Sequence, residues 1–122
     1  MQTSFRVRYF FSGVALANSM PHFAVSLTGR RNMTPFGRDS SPAVNLLWGG
    51  INFLGGIFLL RWTDRKVGAS ANSHEWLMAL LAGGLFWSLF MAVVEAAECT
   101  HRTQARRARS NWIPSARLSV RG

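Results

Sequence analysis

The chain has 122 residues, fourteen Lys plus Arg against five Asp plus Glu, and a formal charge of +9. Nine Phe and five Trp, with 48% hydrophobic residues, exclude a disordered chain. The one cysteine, Cys99, excludes an internal disulfide framework and a four-cysteine zinc site.

The charges are segregated. Residues 9–29, 40–60 and 76–94 contain no Asp, Glu, Lys or Arg. A helix crossing about 30 Å of hydrocarbon needs about 20 mostly apolar residues. The pattern therefore predicts an all-α, membrane-embedded bundle of three transmembrane helices, at about 9–27, 42–62 and 74–98. Residues 1–99 form the membrane domain in this reading, and 100–122 form a disordered, Arg-rich cytoplasmic tail.

The first window, with Asn18, Pro21 and His22, is the most polar, so it should turn its polar stripe towards its neighbours. Ser12, Ala15, Ser19, His22 and Ser26 recur at helical spacing on one face. Pro21 should free the Ala17 carbonyl and kink the helix. The loop 28–41 contains Gly29, Pro35 and Gly37, the punctuation of a turning chain. Ser41 and Pro42 read as N-cap and first residue of the second helix. There Asn45, Gly49, Asn52 and Gly56 lie on one stripe, the small-and-polar pattern of membrane helix packing. Asn72 and Glu75 resemble a capping box for the third helix. Its packing face is expected at Gly84, Ser88 and Ala92. Tyr9, Trp62, Trp76 and Trp112 are candidate interfacial anchors, whereas Trp48 and Trp87 fall inside their windows and are expected to pack.

Depth along an antiparallel pair of helices places Asn18 level with Asn52. It places His22 and Asn45 nearer the loop side, where a third helix parallel to the first would bring Glu95. A polar cluster of His22, Asn45 and Glu95 is expected, with Arg30 above it. Histidine changes charge near physiological pH, so His22 is a candidate proton carrier. A histidine hydrogen-bonded at the helix interface, holding the loop, is the favoured reading.

Beyond the third window, Arg102, Arg106, Arg107 and Arg109 are expected to lie on anionic headgroups. No recognition element accompanies them, which disfavours nucleic-acid binding. Glu95, Glu98, Cys99 and His101 mix soft and hard ligands, so no metal is expected; a Glu98–Arg102 pair fits the spacing better. No catalytic motif and no cofactor motif is present. The loop 28–41 side carries seven nearby cations against five on the other. This bias predicts an outside N-terminus and a cytoplasmic C-terminus.

Between Asn18 and Asn52 the chain reads PHF, GR, TPFG, SSP and NLLWGGIN. This resembles a group of small, uncharacterised bacterial integral membrane proteins with a PHF…GR…TPFG…SSPxxNxxWGxxN pattern. The resemblance implies a bacterial inner membrane and carries no activity with it. The expected function is a non-enzymatic subunit or scaffold acting by helix association, as a homo-oligomer or with a membrane partner. The alternative is a minimal oligomeric transporter or channel using His22, Asn18, Asn52 and Glu95.

Overall fold

A computed structural model describes residues 3–68 and 73–111. The fold is all-α with one small hairpin: α1 (Thr3–Leu27), β1 (Asn32–Thr34), β2 (Gly37–Ser40), α2 (Pro42–Val67) and α3 (Ser73–Asn111). Asn72, Trp112, Arg117 and Arg121 lie outside the described residues, and with them the Asn72 cap and the end of the basic tail. The chain divides into two compact units, Met1–Leu89 and Phe90–Gly122. The first therefore ends ten residues before the boundary that composition suggests.

Each helix boundary has a local cause. α1 closes on a Schellman arrangement: Gly29 has φ +66°, Arg30 N–H bonds the Val25 carbonyl at 3.0 Å, and Gly29 N–H bonds that of Ser26 at 3.1 Å. α2 opens on Ser41, whose hydroxyl accepts from Val44 N–H at 3.3 Å, with Pro42 following. It runs five residues past the expected Trp62, to Gly68 at φ +62°. α3 does not end near Glu98 but continues to Asn111, so residues 100–111 are helical rather than a disordered tail. No Gly or Pro interrupts the sequence between Gly84 and Pro114. Ala, Glu, Gln and Arg there are strong helix formers.

Within the first unit α1 packs on both other helices. Towards α2, Gly49 lies against Phe23 and His22, and Gly56 against Leu16 and the Ser12 carbonyl. Towards α3 the backbones themselves touch. A Cβ on Gly83 would collide with the Phe10 carbonyl, and one on Gly13 with the Leu80 carbonyl. Only glycine permits that approach. Ser88, expected on this face, is exposed and bonds back to the Gly84 carbonyl of its own helix at 2.9 Å. Gly83, not Ser88, extends the Gly84 contact.

Where the N-terminal part of α1 meets the other helices, aromatic and charged groups gather. Tyr9 donates to Asp64 at 2.8 Å and its ring lies 6.0 Å from that of Trp76. The Arg8 guanidinium sits 5.5 Å from the Trp62 ring. Arg6 donates to Glu75 at 2.8 and 3.2 Å.

Gly83→Ala should destabilise the protein in detergent by about 1–3 kcal/mol, as overpacking does, read as a lower melting temperature. Gly55→Ala, where nothing lies within 4 Å, should be neutral or slightly stabilising.

Candidate functional site

The site is built where α1, the hairpin and α2 meet. It begins with an accounting problem. Residues 32–41 leave helical structure, so their carbonyls need partners from outside a helix ladder. Asn45 supplies several. It is fully buried, and its amide nitrogen donates to the carbonyls of Ser40 at 3.0 Å, Ser41 at 3.1 Å and Asn32 at 3.4 Å. All three are acceptors, so the NH2 of Asn45 must face them, and its Oδ1 faces the other way.

That oxygen lies 2.9 Å from His22 Nδ1. Since Oδ1 can only accept, His22 Nδ1 is the donor in this bond. His22 thus ties α1 to α2, while Asn45 ties α2 to both strands.

Hydroxyls order the hairpin in the same directed way. Ser40 Oγ donates to the Gly37 carbonyl at 2.9 Å, which leaves Thr34 as donor in the 2.6 Å Thr34–Ser40 bond. Thr34 Oγ1 in turn accepts from Phe36 N–H at 3.2 Å. Pro35 sets the turn by fixing its own φ. The strands pair Asn32 with Ser40 and Thr34 with Gly37, with an irregularity between. Phe36 then packs edge-on against Trp48 of α2, ring centroids 5.9 Å apart.

The other expected site residues fall elsewhere. Asn18 and Asn52, level by depth, do not pair: Asn18 accepts from Trp87 Nε1 at 2.9 Å, and Asn52 returns to the Trp48 carbonyl of its own helix at 2.9 Å. Arg30 is exposed. Glu95 belongs to the second unit and is exposed there. Arg102, Arg106, Arg107 and Arg109 are exposed on helical backbone, with Arg102 3.6 Å from Glu98. The contributions of Thr34, Ser40 and Trp87 were not anticipated. For Thr34 and Ser40 the available signal was the T-P-F-G turn, whose outer residue Thr34 and following Ser40 are the hydroxyl pair that closes it.

Almost every residue type in the string between His22 and Trp48 has a place in this arrangement. His22 and Phe23 meet Gly49, Gly29 caps α1, Thr34 to Gly37 turn the hairpin, Ser40 and Ser41 bond Asn45, and Trp48 seats Phe36. No protein-family model, curated protein or solved structure matches the chain.

Asn45→Ala removes the side-chain donor to the Asn32 and Ser40 carbonyls and the acceptor of the His22 ring N–H, while the Ser41 carbonyl keeps the backbone N–H of residue 45 at 3.0 Å. It should cost about 1–3 kcal/mol, read from thermal melts in detergent. Asn52→Ala removes only an own-helix bond and should cost less than about 0.5 kcal/mol. Equal effects would assign the Asn45 network no special weight.

Proposed function

We propose that the chain is a multi-pass integral membrane protein of the bacterial inner membrane, with all three helices crossing. It acts there without catalysis, as a subunit or scaffold that associates through its helices, with itself or with another membrane protein. The observation that carries this reading is the inverted distribution of polarity. Among the described residues Tyr9 is the one buried hydrophobic side chain, while Ser12, Asn18, Ser19, His22, Thr34, Ser40, Asn45 and Thr63 are buried polar ones. Soluble interiors are filled instead by Ile, Val, Leu and Phe.

Two helices, α2 and α3, are long and apolar enough to cross a membrane. Of their most apolar stretches only 17% and 6% are buried within the chain. Eight large hydrophobic residues are exposed on each helix, Leu54, Phe58, Leu85 and Leu89 among them. Burying such a side chain is worth about 1.5–3 kcal/mol. Half-exposed in water, the sixteen would together forgo on the order of 15 kcal/mol, as much as a whole domain's stability. Lipid removes that cost. α1 is more polar, but Asn18, Ser19 and His22 are all turned inward. Its 25 residues span about 37 Å, enough to cross beside the other two.

The resemblance of residues 18–52 to small bacterial membrane proteins points the same way. So do Tyr9, Trp62 and Trp76, gathered with Arg8, Asp64 and Glu75 as at a headgroup boundary. The more basic side, bearing the hairpin and the C-terminal residues, is assigned to the cytoplasm. Asn18, His22 and Asn52 already have hydrogen-bond partners, which favours a structural role over a solute path through them and Glu95.

After alkaline carbonate washing of membranes the chain should stay in the pellet, and release into the supernatant would end the membrane reading. Mild cross-linking should then trap an assembly that survives His22→Ala. A pH-dependent flux through reconstituted vesicles, abolished by that substitution, would replace the scaffold with a transporter.

A further inference from the structure

The hairpin does not stand away from the helices. Phe36 lies on Trp48, six residues into α2 and therefore about 9 Å along its axis from Pro42. The tip is folded back to the depth of exposed Leu46 and Leu47 on α2, and Met33 and Phe36 remain 41% and 65% exposed. The hairpin carries three exposed arginines, Arg30 and Arg31 just before β1 and Arg38 in β2, and one acid, Asp39. Arg31 donates to the Asp39 carboxylate at 3.1 Å and to its carbonyl at 3.0 Å, which satisfies that acid. Arg30 and Arg38 form no ion pair with any described residue.

Resting on the membrane reading above, we infer that the hairpin is a binding site for anionic phospholipid. Met33, Pro35 and Phe36 enter the outer part of the leaflet, and Arg30 and Arg38 each engage phosphate of lipids such as phosphatidylglycerol. Three features favour lipid over a soluble acidic protein. The apolar tip lies against a helix flank that a bilayer would cover. The arginine excess is carried by the same segment, Arg30 before β1 and Arg38 beside the turn. The segment is already ordered by Asn45, Thr34 and Ser40, so binding orders little that was free. Arginine suits the role because its planar fork matches phosphate oxygens.

The test uses the full chain in mixed micelles of equimolar phosphatidylglycerol and phosphatidylcholine, with retained lipids counted by native mass spectrometry. The wild-type chain should retain phosphatidylglycerol in preference. Arg30→Gln with Arg38→Gln should reduce that preference about fivefold for each arginine, the worth of one basic residue at an anionic surface. Arg65→Gln with Lys66→Gln, in the last turn of α2 at the end away from the hairpin, should leave it in place. The inference is overturned if the hairpin variant keeps the preference, if the α2 variant loses it, or if inorganic phosphate at equal concentration displaces the lipid, which would mark a free-phosphate site. Nitrogen-15 spectra should show His22 still protonated on Nδ1 in the hairpin variant, so that lost lipid is not mistaken for lost fold. Carbonate washing separates the two readings: a chain that stays in the pellet without lipid preference defeats this inference alone, whereas one that is washed out defeats the membrane reading as well.

Discussion

The side-chain amide of Asn45 is the interaction on which the α1–α2 half of the molecule depends. One buried group satisfies the carbonyls of Asn32, Ser40 and Ser41 and still accepts from His22. An amide does this where a carboxylate or an amine would not, because it carries donors on one atom and an acceptor on the other. Leucine would fill the volume but take the side-chain donor from the buried Asn32 and Ser40 carbonyls and the acceptor from His22, at a cost of about 1–3 kcal/mol for a group left unsatisfied. The geometry also removes a freedom that histidine usually has. With the amide oriented by three acceptors, the tautomer of His22 is chosen for it.

The same constraint explains why the most polar helix packs against both others. α1 carries Asn18, Ser19 and His22, and each is buried. Asn18 finds Trp87 on α3, and His22 finds Asn45 on α2. A helix with polar groups on two sides needs neighbours on two sides if no water is to reach them. The glycines at those contacts serve that end: Gly49 and Gly56 let α2 approach, and Gly13 and Gly83 bring α1 and α3 to backbone contact. A single hydrogen bond contributes only about 1 kcal/mol net, so the close packing made possible by glycine supplies much of the cohesion, and the polar pairs fix register.

Charge spacing and helical period made the three helices legible in the sequence, and depth counting from the loop placed His22 beside Asn45. What the sequence hid was of two kinds. The first was local hydrogen bonding that competes with longer-range pairing. Asn52 matches Asn18 in depth, yet it bonds the Trp48 carbonyl one turn back, as an amide on a helix can. The second was continuity. Composition changes sharply after Val94, from apolar to charged, and this reads as the end of a structural element. The backbone does not respond to hydropathy in that way. With no Gly or Pro to stop it, and with Glu98 and Arg102 one turn apart, α3 continues to Asn111.

The hairpin shows how a short segment acquires a single shape without a hydrophobic core beneath it. Its strands are three and four residues long, too few to be stable alone. Thr34 and Ser40 spend their protons in one fixed sequence, from threonine to serine to the Gly37 carbonyl, so the turn has one satisfied arrangement of hydrogens. Asn45 closes the open end of the strands, and Trp48 receives Phe36 at the tip. Both come from the first two turns of α2, a helix whose own start is fixed by Ser41 and Pro42. The start of α2 therefore determines the shape of the segment that precedes it, and the arginines on that segment are presented from a rigid base rather than from a loose loop. A shape defined in this way is what distinguishes a site that could select one headgroup from a basic loop that attracts any anion.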